Sequence, residues 1–164
     1  MKIVIMAGGK GSRLSPRKPL LEVCSIPMIA RVYNVAEKIS TDIYIATIKN
    51  HVIEKELILR FPNIIYTSGK GYENDVLEAV TTIGFPVLVL PSDIPFLKID
   101  YVKPLFTCKS SICTLLSRGK FVGISLWNSD NLNDFSSIES NVDIINVNTK
   151  EDLSIANKLC YENI

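Results

Sequence analysis

The chain holds one histidine and one tryptophan in 164 residues, and that scarcity removes whole classes of chemistry. With His51 alone, far in sequence from the neighbouring Cys108 and Cys113, no Ser-His-Asp or Cys-His set is indicated, and a zinc site lacks ligands. His51 reads as a surface or hydrogen-bond-satisfied residue. Cys24, Cys108, Cys113 and Cys160 are scattered, and read as buried free thiols of a reducing compartment, with a disulfide, which such a compartment disfavours, as the alternative. No apolar run approaches the roughly 18 residues of a membrane span, and the amino terminus enters a strand rather than a secretion signal. Lys and Arg number 18 against 17 Asp and Glu, so a net charge of +1 provides no overall field for nucleic acid or an anionic membrane. Repeats, low-complexity tracts and linkers are lacking too. The expectation is a single cytoplasmic domain over residues 1–164, core-rich because 47% of its residues are hydrophobic.

The residues that stand out are gathered near the start. Lys2 to Met6 reads as a buried strand and runs into Ala7-Gly8-Gly9-Lys10-Gly11-Ser12-Arg13-Leu14, followed by Lys18-Pro19-Leu20. Three glycines let the backbone approach a ligand where a Cβ would collide, and amides freed in such a turn can face an anion. Lys10, Arg13 and Lys18 add three positive charges within nine residues, which makes a polyphosphate the natural occupant. Gly9 and Gly11 meet two positions of the dinucleotide pattern G-x-G-x-x-G, but Leu14 stands at the third, and no window supplies G-x-x-x-x-G-K-[ST]. An ordinary turn with solvated charges would leave the glycine and cation cluster unexplained. Strand, G-G-x-G-x-R-[LM] and K-P-L together resemble the nucleotidyltransferase loop of enzymes that activate sugar phosphates and cofactor precursors.

Strand-like and helix-like segments alternate through the first half, the pattern of a parallel sheet covered on both faces. The spacing predicts helices over Met28 to Ile39, from an Asn50 cap to about Arg60, and over Tyr72 to Ile83. Strands are expected over Asp42 to Ile48, Asn63 to Thr67 and Pro86 to Pro91. The second half is less regular: a short helix over Lys98 to Phe106, strands over Ser111 to Leu116 and Phe121 to Trp127, and a loop over Asn128 to Asn141. A strand over Val142 to Val147 then precedes a helix opened by a Thr149-x-x-Asp152 capping box and running to about Tyr161. The fold class expected is α/β, a Rossmann-like, doubly wound, mostly parallel sheet. Ligands of such sheets gather at the carboxyl ends of strands, where the loops after Met6, Thr67 and Pro91 fall.

Asp93 emerges from the aliphatic strand Leu88-Val89-Leu90-Pro91 at that edge, where a hard carboxylate suits Mg²⁺ shared with substrate phosphates; a turn or capping aspartate is the alternative. Asn148 offers an amide oxygen as a second metal ligand, or serves as a turn residue, while Asp152 is accounted for as a cap. In Thr67-Ser68-Gly69-Lys70-Gly71-Tyr72 the glycines would let backbone meet base or ribose, Ser68 could hydrogen-bond a base edge, and Lys70 could reach phosphate; a tight βα connection is the plain alternative. Glu73, Asp75 and Glu78 suit the favoured first turns and outer face of the following helix and are assigned no chemistry. An acceptor that is itself a phosphate is already anionic, so in-line attack on an α-phosphorus needs alignment and charge neutralisation rather than a covalent enzyme intermediate. The expected catalytic residues are Arg13, Lys18 and Asp93. The nucleotide is assigned to Ala7, Gly8, Gly9, Lys10, Gly11, Ser12, Ser68, Gly69, Lys70 and Gly71, and Mg²⁺ to Asp93 and Asn148.

With these motifs in order, joined by Tyr44-Ile45-Ala46-Thr47, Ser92-Asp93 and Ile145-Asn146-Val147-Asn148-Thr149-Lys150-Glu151-Asp152-Leu153, the chain resembles the archaeal GTP:adenosylcobinamide-phosphate guanylyltransferase family, relatives of the molybdenum-cofactor guanylyltransferases. That resemblance implies the fold of the nucleotide-diphospho-sugar transferases and the transfer of GMP from GTP to adenosylcobinamide phosphate, giving adenosylcobinamide-GDP and pyrophosphate. It implies backbone contacts from Gly8, Gly9 and Gly11, phosphate contacts from Arg13 and Lys18, Mg²⁺ on Asp93, guanosine at Ser68 to Tyr72, and Gly123 on the acceptor side. Its partners would be GTP and a phosphorylated corrinoid, with no nucleic acid and no membrane span, and it allows a homodimer. The chain departs from the family in being short between Cys108 and Asn141. A molybdopterin or sugar-phosphate acceptor, and a non-catalytic nucleotide-binding regulatory module, stay open as alternatives.

Overall fold

A computed structural model of the chain describes residues 1–160. In chain order the elements are β1 (Lys2–Met6), β2 (Glu22–Val23), β3 (Ile26–Pro27), α1 (Met28–Glu37), β4 (Asp42–Thr47), α2 (Glu54–Arg60), β5 (Ile64–Tyr66), α3 (Tyr72–Ile83), β6 (Val87–Pro91), α4 (Ile99–Val102), β7 (Ile112–Ser117), β8 (Lys120–Trp127), β9 (Phe135–Glu139) and α5 (Lys150–Lys158). Seven strands form one sheet in the order β5-β4-β1-β6-β8-β7-β9, and β2 with β3 makes a small hairpin apart from it. Strands β5, β4, β1 and β6 are mutually parallel; β8 turns antiparallel to β6 and β7, and β9 is again parallel to β7.

The strands at the centre are apolar on both faces, which fixes them inside. Ile3, Ile5, Ile45, Leu88 and Leu90 pack on one side against Ile29 and Val32 of α1, whereas Val4, Val87 and Val89 pack on the other against Val76, Ala79 and Val80 of α3. Each such side chain removed from water contributes on the order of 2 kcal/mol before conformational costs. The carboxyl ends of β1, β5 and β6 therefore open onto one edge.

Several expectations fail, most of them in the second half and for local reasons. Residues 128–141 include β9, whose alternation leaves Phe135, Ser137 and Glu139 exposed while Ile138 packs on the core. Only one of its faces meets apolar neighbours, so its pattern is too polar to announce a strand. Residues 142–147 form no strand; that segment is held by Ile144 N donating to Ser117 Oγ (3.0 Å) and Val147 N donating to the Asp93 carbonyl (2.9 Å). The Lys98 to Phe106 helix divides into α4 and a 3-10 turn over Lys103–Thr107 containing Pro104, which has no N–H to continue an α-helical ladder. Asn50 does not cap α2, which begins at Glu54; it occupies a left-handed turn position (φ 64°) that asparagine tolerates. The capping box of α5 forms as expected, and Tyr161, the expected end of that helix, lies outside the described residues.

The cysteines correct another expectation. None of the four is a free thiol: Cys24 pairs with Cys160 and Cys108 with Cys113, with Cα separations of 5.4 and 6.4 Å. The first pair is 136 residues apart in sequence and meets only because the β2–β3 turn packs on the end of α5. Among the described residues no helix is long and apolar enough to cross a membrane.

Candidate active site

The glycine loop leaves the end of β1 and lines a cavity of about 540 Å³ at the carboxyl edge of the sheet, faced by Lys10, Lys18, Lys70, Tyr72, Asp75 and Asp93. Gly11 has φ 60°, and a Cβ there would stand 1.8 Å from the Ser15 carbonyl oxygen, so no other residue fits this turn. Among the described residues the amides of Gly8 to Ser12 find no acceptor, and Lys10 and Lys70 form no salt bridge, which leaves donors and positive charge facing the cavity. His51 proves to be a satisfied histidine with a structural task. Its Nε2 lies 2.8 Å from the Gly9 carbonyl and so carries the proton, while Nδ1 accepts from Ile53 N at 3.3 Å, pinning the loop to the turn that precedes α2.

Beneath the loop, three distant segments converge. The Lys18 ammonium donates to Asp93 Oδ2 and to Asn148 Oδ1, both at 2.8 Å, and the Lys18 and Asp93 side chains keep only 18% and 16% of their surface exposed. Asn146 completes the set by donating Nδ2 to Asp93 Oδ1 (3.0 Å) and to the Val122 carbonyl (3.1 Å), so both carboxylate oxygens are oriented. Asp152 supports Asn148 from behind, accepting from the amides of Asn148 (2.9 Å) and Thr149 (3.1 Å). The Asn148 amide first, then the bonds to Thr149 and the charge of Arg13, hold the Asp152 carboxyl below the usual range against an opposing desolvation. A cation already sits between Asp93 Oδ2 and Asn148 Oδ1. The cation is the Lys18 ammonium, and the two hard oxygens that hold it are of the donor type Mg²⁺ prefers, so the donor chemistry fits the metal expected there.

The second glycine turn is held differently from its expected role. Ser68 spends both its amide (2.7 Å) and its hydroxyl on the Glu78 carboxylate, leaving it no hydroxyl proton for a base edge. Gly69 N donates to Asp75 Oδ1 at 3.0 Å, and Asp75, only 8% exposed, lines the cavity. Thr67 lines it as well, and its buried Oγ1 has no hydrogen-bond partner among the described residues. The Ser68 hydroxyl, then its amide, then Lys70 depress the Glu78 carboxyl. A depressed carboxyl contributes fully above its ordinary range and loses that contribution as pH falls through the lowered value. The Ser68 amide resonance is accordingly expected to titrate with a midpoint below that of a free glutamate; a midpoint at or above it would disprove the bond's role.

Tyr72, at the start of α3, donates its hydroxyl to the Gly123 carbonyl at 2.9 Å. Burial of that end of the ring first, and the charge of Asp93 second, push the phenol far above its ordinary range, so it stays protonated and a donor. Gly123 has φ 93°, and a Cβ there would come within 3.0 Å of the Pro91 ring, which lets β8 pass close to the end of β6.

The structure thus joins Lys18, Asp93 and Asn148 directly, and places Ala7, Gly8, Gly9, Lys10, Gly11, Gly69, Lys70 and Gly71 around one cavity. Ser12, Arg13 and Ser68 are exposed and do not line it. Asn146, Thr67 and Asp75 escaped the sequence reading. Asn146 shares the two-residue spacing of Asn148, a detectable signal, whereas Thr67 and Asp75 looked like a strand end and a helix surface.

Residues 3–141 match the family described as MobA-like NTP transferase domain. The adenosylcobinamide-phosphate guanylyltransferase of Methanocaldococcus jannaschii is 37% identical over 66% of this chain and 61% of the relative, so the chain spans about three fifths of that relative's length. Among solved structures, the molybdopterin-guanine dinucleotide biosynthesis protein A of Archaeoglobus fulgidus superposes with a TM-score of 0.80 at 16% identity, covering 99% of this chain and 100% of the other. A CMP:2-keto-3-deoxy-manno-octonic acid synthetase complexed with CTP gives 0.78 at 17% identity, covering 99% of each chain. At those identities the superpositions establish a shared fold.

Proposed function

We infer the reaction from one premise: the chain belongs to the MobA-like NTP transferase family. As one domain over residues 1–164, it moves GMP from GTP to adenosylcobinamide phosphate, the acceptor named for its 37% identical relative. The observation that carries this reading is the convergence of Lys18, Asp93, Asn148 and Asn146 beneath a glycine loop with unengaged amides. A non-catalytic binding module would have no need of so fully oriented a carboxylate.

An oxygen of the acceptor phosphate attacks the α-phosphorus of GTP, a new P–O bond forms, the α–β bridge breaks and pyrophosphate leaves. The loop amides and Lys10 hold the phosphates, Lys18 balances their charge, Asn146 keeps Asp93 aimed, and the exposed Arg13 adds long-range attraction. Asp93 and Asn148 would hold Mg²⁺, which when bound offsets the charge that builds on the departing pyrophosphate. The enzyme acts in the cytoplasm; the two disulfides are compatible with that compartment in thermophilic organisms, whose intracellular proteins retain them.

Guanine is supported by Asp75, whose carboxylate lines the cavity: a carboxylate oxygen accepts from N1–H and the exocyclic amine of guanine, whereas adenine presents an acceptor at N1. Asp75→Asn retains an oxygen for Gly69 N but brings an amide donor to the base, and is expected to lower the GTP-over-ATP preference at least ten-fold. The test is pyrophosphate release from each NTP with adenosylcobinamide phosphate, molybdopterin or a sugar phosphate. No release with GTP and adenosylcobinamide phosphate rejects the reading, and an unchanged preference in Asp75→Asn removes the base contact.

A further inference from the structure

A second cavity of about 600 Å³ flanks the first on the α3 side of the sheet, where β8, β7 and β9 extend beyond the cover of that helix. Its walls are Phe121, Leu132, Phe135, Leu116 and Trp127, with the hydroxyls of Thr114, Ser125 and Ser137 between them. Phe121, Leu132 and Phe135 are 50, 54 and 67% exposed, an uncommon concentration of large apolar surface on one face. Tyr72 lines both cavities. Its ring meets Phe121 edge-on at 6.3 Å while its hydroxyl holds the Gly123 carbonyl, so the aromatic pair stands at the divide between them.

The two cavities differ in charge. The nucleotide cavity has Lys10, Lys18 and Lys70 on its walls; among the described residues the second has no cation, and its one charged side chain is Glu73. A triphosphate has nothing to gain there. A broad ring system with polar amides at its periphery can lay its apolar face on Phe121, Leu132 and Phe135. The volume lies within the range of small-molecule sites, and the cavity adjoins the reacting centre across a single residue.

We propose that this flank seats the ring of the acceptor, a phosphorylated corrinoid macrocycle, so that its phosphate passes the Tyr72–Phe121 divide toward Lys18 and Asp93. The assignment rests on the guanylyltransferase reading and names where its acceptor binds. A second copy of the chain is the competing occupant, but a flat partner surface would not account for continuity with the nucleotide cavity.

Leu132→Asp and Phe135→Glu change exposed positions and are expected to fold. In turnover assays each is expected to raise the KM for adenosylcobinamide phosphate at least ten-fold with the KM for GTP within two-fold of the parent protein. Binding is read independently of turnover. Trp127, the only tryptophan, borders this cavity, and a corrinoid's near-UV absorption overlaps tryptophan emission and quenches it; adenosylcobinamide phosphate should quench the parent protein saturably and the variants at least ten-fold more weakly. Absent turnover in the parent protein rejects the guanylyltransferase reading, while the quenching titration still decides the seat. No saturable quenching, or variants that bind the corrinoid as the parent does, overturns the proposal. So does a shift from dimer to monomer in sedimentation without a change in corrinoid affinity, which would assign the face to a second copy.

Discussion

Alanine in place of Asp93 is expected to slow pyrophosphate release on the order of 10³-fold while GTP still binds, because the site loses several kcal/mol of charge stabilisation that matters most as the leaving group departs. In the proposed reading GTP is held mainly by the glycine loop and Lys10, neither of which touches Asp93 among the described residues. The substitution also leaves the largely buried Lys18 ammonium with Asn148 as its remaining partner and strips Asn146 of one acceptor, a stability loss of about 1–3 kcal/mol. Asp93→Asn separates charge from shape by keeping an oxygen in place without the charge. If both variants are slow, the charge is what the reaction needs; if the asparagine form turns over normally, Asp93 only positions its neighbours. Calorimetry of GTP binding beside single-turnover assays makes the distinction, and unchanged turnover in the alanine variant removes Asp93 from the mechanism.

Opening the Cys24–Cys160 bridge is expected to produce the largest loss of stability. In the chain-entropy account a cross-link closing a loop of 136 residues limits the unfolded ensemble by about 5 kcal/mol, against about 2 kcal/mol for the five-residue separation of Cys108 and Cys113. For a chain of this size that corresponds to a fall in Tm of roughly 10–20 °C for Cys24→Ser. The bridge ties the β2–β3 turn to the end of α5, and the start of α5 carries the capping box that supports Asn148. Scanning calorimetry of Cys24→Ser and Cys108→Ser, each compared with the parent protein with and without dithiothreitol, checks the ranking. Equal losses, or a larger loss from Cys108→Ser, would show that loop closure does not dominate.

Much of the catalytic edge was legible in the chain because short-range rules govern it. The buried β1 strand, the glycine and cation run, the aliphatic β6 ending in Asp93 and the capping box of α5 each carry a local pattern that one type of backbone satisfies. Where two structures satisfy the same local pattern, the chain misleads. The polar edge strand β9 passes for a loop because only one of its faces is packed. Residues 142–147 pass for a strand because the apolar residues that fold onto β8 and Asp93 without a ladder look the same in sequence as those within one.

By itself the amino-acid sequence determined that this protein has a parallel α/β core, a glycine- and cation-rich first loop and a single carboxylate at the adjoining strand end, since alternation, glycine and charge act over a few residues. Only the tertiary structure decided that Lys18 lies between Asp93 and Asn148, that Asn146 aims the carboxylate, that Ser68 is consumed by Glu78, and that the cysteines pair. Those outcomes depend on the register of strands and helices up to 136 residues apart, and no local preference encodes which distant side chains will share a hydrogen bond.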